Sequence, residues 1–285
     1  MPTLVLTDIH GNLPALEAVL AQPAAQKCDE IISLGDHVNF GPESRAVHDR
    51  LTELGAVMLL GNHEERLLRP ADAEFDGYNW TLMRWTAQQM AGIDLHLPTD
   101  LRRGNVLFTH GTPGAPYHLV QPWEIFSLLD TLPDGVTLLL SGHNHTPWDV
   151  ARDGRRWVNP GSAGMRELPP GSDEVGEAGL IPFCVLEGET LTHHTARYDV
   201  NDVARAFLRT GAARVIPELT RAVLHVMRTA EPQGAMKLIL HVRDVAARMG
   251  LSLADEAAWK AADRTYPWPE DMTSNEYWSE LEKSL

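Results

Sequence analysis

Residues 3–12 read Thr-Leu-Val-Leu-Thr-Asp-Ile-His-Gly-Asn, a short apolar run that ends in an aspartate and a histidine. Short apolar runs bounded by turn residues are typical of buried β-strands. Asn12 and Pro14 are residue types favoured at the N-cap and in the first turn of a helix. The stretch therefore predicts a strand, a turn that carries Asp8 and His10, and then a helix.

The same pattern recurs along the first 200 residues. Further apolar runs cover residues 30–34, 56–60, 105–109 and 137–141, and helix-like segments cover residues 43–54 and 80–90. Alternating strands and helices indicate layers of α and β structure with sheet at the centre, which is the α/β class. Additional strands are expected at residues 157–158, 183–186 and 191–194, in a second sheet or a hairpin.

From about residue 201 the sequence predicts helices only. They are expected at residues 201–209, 216–228, 236–249, 254–262 and 275–282. Apolar residues at spacings of three and four predict faces that must be buried: Ile216, Leu219, Val223, Val226, Leu238, Val242, Val245 and Met249. We divide the chain into a main domain over residues 1–210 and a helical C-terminal extension over residues 211–285. These faces are predicted to pack on the main domain, and a homodimer through the C-terminal helices is the alternative.

Length and charge limit the classes of protein that fit. The chain has 285 residues, enough for one large domain or for one domain with a smaller companion. Its net charge of −15 opposes non-specific binding to nucleic acid or to an anionic membrane. Two cysteines are too few for a disulfide framework, so a cytoplasmic protein is expected. The sequence lacks the run of about 18 apolar residues that a membrane span requires.

Polar residues stand directly after each of the five apolar runs. In open α/β sheets, ligands bind beyond the carboxyl ends of the strands, so these side chains are expected to meet. Carboxylate, amide and imidazole groups without thiolates suit Mn, Fe, Zn or Ni better than Ca. Seven candidates exceed the needs of one ion and predict two ions that share a carboxylate: Asp8, His10, Asp36, Asn62, His110, His143 and His145.

These motifs resemble those of the calcineurin-like metallophosphoesterase superfamily. Its pattern is matched in order by Asp-x-His at residues 8–10, Gly-Asp at 35–36, Gly-Asn-His-Glu at 61–64, His110, and Gly-His-x-His at 142–145. Residues 35–42 and the Asn-Pro-Gly-Ser sequence at 159–162 resemble the small prokaryotic branch labelled YfcE-like or diadenosine-tetraphosphatase-related. The likeness covers about residues 3–210 and implies a four-layer α/β/β/α sandwich.

The resemblance also implies roles for the candidate residues. Asp8, His10 and His145 would hold the first ion, and Asn62, His110 and His143 the second, with Asp36 bridging the two. Manganese is the expected metal, with Fe, Zn and Ni as alternatives. His63 would not bind metal. It would face the substrate as the catalytic residue and protonate the leaving oxygen or stabilise developing charge.

The implied activity is hydrolysis of a small phosphorylated substrate, a phosphodiester or a nucleotide, by attack of a metal-activated hydroxide. Residues 39–42 replace the Asp-Arg-Gly sequence of the phosphoprotein phosphatases, which disfavours a protein substrate. Substrate contacts are assigned to Asn62, His63 and Arg166, and an exposed, salt-bridged Arg166 is the alternative. A phosphomonoesterase, a dinucleoside-polyphosphate hydrolase and a catalytically silent interaction scaffold stay open. The scaffold is disfavoured because His63 is present.

Overall fold

The computed structural model describes residues 1–69, 75–273 and 277–285. The strands of the described residues are β1 (Thr3–Leu6), β2 (Glu30–Ser33), β3 (Val57–Met58), β4 (Asp100–Arg103), β5 (Val106–Thr109), β6 (Leu138–Leu140), β7 (Trp148–Arg152), β8 (Arg155–Asn159), β9 (Leu180–Glu187) and β10 (Thr190–Arg197). The α-helices are α1 (Leu13–Leu20), α2 (Ser44–Glu53), α3 (Asn62–Leu67), α4 (Thr81–Gln89), α5 (Ile125–Asp130), α6 (Val200–Thr210), α7 (Pro217–Thr229), α8 (Gly234–Met249), α9 (Glu256–Asp263) and α10 (Tyr277–Ser284).

The strands form two five-stranded sheets. The first has the order β10-β9-β1-β2-β3 and the second has the order β4-β5-β6-β8-β7. In the first sheet β1, β2 and β3 are parallel, and in the second β5, β6 and β8 are parallel. Parallel strands at the centre of a layered fold are buried on both faces, which explains the continuous apolar runs of the sequence.

Helices and sheets stack in four layers, as the resemblance implied. Apolar side chains of the two sheets pack against one another in the space between the sheets, among them Val5, Ile32, Phe108 and Leu140. A larger cluster joins the other face of the first sheet to α1, α2 and the C-terminal helices. The other face of the second sheet is covered by α5, which contributes Ile125 and Leu129.

Most of the strands and helices expected from the sequence are confirmed. The five apolar runs correspond to β1, β2, β3, β5 and β6, and the later runs fall in β8, β9 and β10. The hairpin of β9 and β10 joins the first sheet beside β1. The sequence did not predict β4, β7, α3 and α5. Residues 275 and 276 of the last expected helix lie outside the described residues.

The C-terminal helices bury most of their predicted apolar faces within the same chain. Seven of the eight residues named for those faces lie in the large cluster that also contains Leu4 and Leu16. The prediction was wrong for Met249, which is 47% exposed because it stands at the end of α8, beyond the packed region. The domain boundary at residue 210 and the homodimer stay predictions. Within the described residues, no helix combines the length and the apolar character that a bilayer crossing requires.

Replacing Trp259 by alanine tests whether the extension shares its core with the rest of the chain. Trp259 on α9 is 0% exposed, lies in the large cluster, and donates its indole N–H to Leu253 O at 2.8 Å. We expect the free energy of unfolding to fall by about 3–5 kcal/mol, in one transition seen by both circular dichroism and fluorescence. Trp123→Ala is the control, because Trp123 is 78% exposed. Two separate transitions, of which the mutation shifts only one, would contradict a shared core.

Candidate metal centre

The seven candidate ligands lie just beyond the carboxyl ends of strands from both sheets. Asp8 and His10 follow β1, Asp36 follows β2, and Asn62 is the first residue of α3, shortly after β3. His110 follows β5, and the loop after β6 carries His143 and His145. The structure thus brings together all seven of the candidate metal ligands that the sequence predicted.

Asp8, His10 and His145 form the first ligand group. Their ligand atoms lie within 4.8 Å of one another, and all three residues are buried. His10 Nε2 and His145 Nε2 are 2.9 Å apart, and Asp8 Oδ1 lies 3.5 Å from His145 Nε2. Two imidazole nitrogens and a carboxylate oxygen therefore converge on one point, which suits a borderline divalent cation.

Asp36, His110 and His143 form the second ligand group, and Asn62 lies beside it. Asp36 Oδ2 is 3.2 Å from His110 Nε2. One polar atom of the Asn62 carboxamide lies within 3.2 Å of Asp36 Oδ2, His110 Nε2 and His143 Nδ1. These four residues present the mixed oxygen and nitrogen donors expected of a second cation site.

Asp36 links the two groups. Its Oδ2 atom lies 4.0 Å from His10 Nε2, in addition to its close approach to His110. It also lies 3.8 Å from His63 Nε2, so His63 could by distance alone join a group with His10 and Asp36. The position of Asp36 is therefore compatible with a carboxylate shared by two cations.

Backbone carbonyls orient two of the imidazoles. His10 Nδ1 lies 3.2 Å from Val38 O, and His110 Nδ1 lies 3.0 Å from Leu34 O. A carbonyl only accepts, so each Nδ1 carries a proton, and in the neutral ring each Nε2 directs a lone pair into the centre. This is the tautomer that a metal ligand requires.

Several of the ligands occupy a strained backbone conformation. The φ angles of Asp8, His10, Asp36, His143 and His145 lie between 49° and 69°. Such left-handed conformations are uncommon for residues other than glycine and cluster at functional sites. Close packing also requires a glycine at position 61, because a Cβ added to Gly61 would lie 2.2 Å from Asp36 Oδ1. The local backbone is thus specialised to place these side chains.

Glu64 is a residue of this region that the sequence analysis missed. It is fully buried, and its carboxylate accepts hydrogen bonds from the backbone N–H groups of Asp36, Gly61 and Val38. It therefore holds the turn after β2 against the start of α3. A signal was present, because a Glu three residues after a helix N-cap is the mark of a capping box.

The protonation states of the buried groups fit a cation site. Burial alone would raise the pKa of Asp8, but His145 and His110 outweigh it and hold that pKa below its usual value. Burial and the charge of neighbouring histidines lower the pKa of His10 and of His143 to about 4 each. Among the described residues, Asp8 Oδ1 has no hydrogen-bond partner although it is buried. Ionised carboxylates, the neutral imidazoles of His10 and His143, and an unsatisfied oxygen are what a bound cation would complete.

The pKa of His110 predicts how metal affinity depends on pH. Burial opposes protonation of His110, but the carboxylate of Asp36 prevails and raises the pKa to about 9. Metal binding must displace this proton, so we expect affinity to rise about tenfold per pH unit between about pH 6.5 and 8. Zinc titration calorimetry in two buffers of different ionisation enthalpy measures the proton release. Affinity that does not change with pH would contradict the prediction.

Arg166 is half-buried, and the alternative of an exposed, salt-bridged arginine is wrong. No ion pair to it occurs within the described residues, and its Nη1 is buried without a hydrogen-bond partner there. The next residue, Glu167, places Oε1 3.8 Å from His145 Nδ1, so this segment borders the first ligand group. A substrate contact by Arg166 stays a prediction.

A second cluster outside the centre has the order of a nucleophilic triad. Cys184 Sγ lies 3.4 Å from His193 Nδ1, and His193 Nε2 lies 2.7 Å from Asp149 Oδ2. Cys184 is fully buried between the sheets, and burial raises the pKa of its thiol to about 12. Since the thiolate is the reactive form, this cysteine is a packing residue and not a nucleophile.

Comparisons with known proteins agree with this geometry. The sequence model of the family described as calcineurin-like phosphoesterase matches residues 1–163. The chain is 26% identical over 178 residues to phosphodiesterase YfcE of Escherichia coli, covering 58% of this chain and 80% of that protein. It is 23% identical over 221 residues to the uncharacterized protein MJ0912 of Methanocaldococcus jannaschii, covering 71% and 89% of the two chains.

A solved structure shows the same architecture. The metallophosphoesterase from Sphaerobacter thermophilus aligns with a TM-score of 0.63 and 26% sequence identity, over 74% of this chain and 94% of that one. The family match covers more than half of the present chain and includes all seven candidate ligands. The chain therefore belongs to the calcineurin-like phosphoesterase family.

Proposed function

We propose that this phosphoesterase uses two divalent metal ions to hydrolyse a phosphodiester or a nucleotide. The observation that supports this most directly is the position of Asp36, whose Oδ2 approaches both His110 Nε2 and His10 Nε2. A carboxylate shared by two groups of ligands is what a two-metal site needs. Manganese as the native metal and a cytoplasmic location stay predictions.

Each side chain has an assigned role in this proposal. Asp8, His10 and His145 hold one ion, Asn62, His110 and His143 hold the other, and Asp36 contacts both. The bound ions would activate the attacking water and neutralise charge on the phosphoryl group. His63 lies beside this centre, with Nε2 3.8 Å from Asp36 Oδ2, where it donates to a phosphoryl or leaving oxygen. Arg166 supplies a guanidinium for a phosphate oxygen.

Two features favour a diester or nucleotide over a phosphoprotein. Residues 39–42 lack the arginine that the phosphoprotein phosphatase motif places there. The similarity to a protein named as a phosphodiesterase covers most of that relative's length. Neither feature identifies the natural substrate, so the first assay compares two simple esters.

The test is hydrolysis of bis(p-nitrophenyl) phosphate and of p-nitrophenyl phosphate by metal-stripped protein to which manganese is returned. We expect diester turnover to appear with manganese and to disappear in the Asn62→Ala variant. Turnover of the monoester alone would replace the diester assignment with a phosphomonoesterase. Diester turnover that persists without metal, or in Asn62→Ala, would reject the two-metal proposal.

A further inference from the structure

A buried chain of polar contacts leads from α4 to His63. The Thr86 hydroxyl donates to Asn39 Oδ1 at 3.2 Å, and Asn39 Nδ2 lies 2.7 Å from His63 Nδ1. Asn39 and Thr86 are buried, and His63 is only 8% exposed. Contacts in such a position are shielded from competition by water, so they fix the imidazole more strongly than surface contacts would.

The direction of these hydrogen bonds decides which nitrogen of His63 carries the proton. An amide nitrogen only donates, so Asn39 Nδ2 requires an unprotonated Nδ1 on His63. The neutral ring then carries its proton on Nε2. The opposite tautomer would direct a bare Nε2 lone pair at the Asp36 carboxylate, which lies 3.8 Å away. Both ends of the ring therefore favour a proton on Nε2.

The turn that positions the Asn39 side chain against His63 has a strained backbone. Asn39 and Phe40 have φ angles of 67° and 59°, and such angles are a clear outlier for a bulky residue such as Phe. The Asn39 N–H donates to Ser44 Oγ at 2.9 Å, which holds the turn in place. The Phe40 ring packs with its centroid 4.8 Å from that of His63. The turn thus holds one face of His63 while Asn39 holds its Nδ1.

We propose that Asn39, oriented by Thr86, is a positioning residue that keeps His63 as the Nε2–H tautomer, ready to donate to an oxygen of the substrate. This rests on the proposed function, in which His63 faces the substrate. Asn39 touches neither substrate nor metal in this arrangement and acts only through the imidazole. A purely structural role for Asn39 would place no requirement on the proton of His63.

The direct test reads the tautomer without any substrate. Protein labelled with ¹⁵N-histidine and loaded with zinc, which is diamagnetic, gives long-range proton–nitrogen correlations, and His63→Gln assigns the His63 signals. We expect a protonated Nε2 and an unprotonated Nδ1 in the wild type. In Asn39→Asp a carboxylate replaces the donor, so we expect Nδ1 to become protonated. An unprotonated Nε2 in the wild type, or an unchanged Nδ1 in Asn39→Asp, would overturn the proposal.

Kinetics then test whether the tautomer matters for turnover. Asn39→Gly removes the side chain without backbone strain, and we expect kcat to fall about 10²-fold with little change in KM. Thr86→Val should lower kcat about fivefold, since it removes one neutral hydrogen bond. Thr220→Val is the matched control, because Thr220 is a buried helical threonine whose hydroxyl, within the described residues, donates only to Ile216 O and Pro217 O. Unchanged kcat in Asn39→Gly would reject the positioning role.

Failure of the proposed function would be recognised separately. If the wild type hydrolyses neither ester with any metal, the two-metal phosphoesterase proposal fails, and so does the catalytic purpose given to the tautomer. If the wild type is active but the nitrogen spectra show a proton on Nδ1, the function stands and only the role of Asn39 is lost.

Discussion

Asp36→Asn is expected to remove both metal ions and to lower kcat at least about 10³-fold, because each ion is worth several kcal/mol and 1.4 kcal/mol corresponds to tenfold in rate. The substitution preserves shape and keeps an oxygen that accepts the backbone N–H of His63, which donates to Asp36 Oδ1 at 2.8 Å. It removes only the negative charge that the two ligand groups share. Metal content by mass spectrometry and diester turnover are the two measurements.

Asp149→Asn is the control for this change. Like Asp36, Asp149 lies close to a histidine, His193, and it also pairs with Arg156. It lies, however, at the partly exposed edge of the second sheet. Its replacement should leave metal content and kcat unchanged. An Asp36→Asn protein that keeps two ions and turns over within tenfold of the wild type would show that Asp36 does not bridge them.

His63→Gln is expected to keep both ions while kcat falls about 10²- to 10³-fold, the range for loss of a positioned hydrogen-bond donor. This separates the two positions that geometry allows for His63, as a substrate-facing residue and as a ligand with His10 and Asp36. Metal content decides between them. His241→Gln is the control, since His241 contacts Thr265 in the C-terminal helices. Loss of an ion from His63→Gln would make His63 a ligand.

The sequence predicted the central strands well because their burial is recorded in their composition. β1, β2, β5 and β6 fall in short apolar runs bounded by turn residues, and their shortness favours buried strands over helices. The edge strand β4 has the sequence Asp-Leu-Arg-Arg, with half of its residues exposed, so it carries no apolar run to detect. The charged and alternating β7 was missed for a similar reason.

The metal ligands could be predicted from the sequence, whereas the contacts of the residues around them could not. Each ligand lies within five residues of the end of a strand, so sequence order alone places it at the carboxyl edge of a sheet. Asn39 contacts His63, 24 residues later, and Thr86, 47 residues later, through side chains whose pairing follows no periodicity. Glu64 was detectable only as a helix cap, and its bonds to the turn after β2 required the folded structure.

The cluster that joins the first strand to the last helices has a consequence for how the chain is made. Leu4 and Leu16 share their core with Trp259, so a ribosome must add roughly 240 further residues after Leu16, about 10–50 s of synthesis, before those contacts can form. Contacts of such long sequence separation also slow folding after release. During that interval the nascent chain exposes the apolar surface that the C-terminal helices later bury.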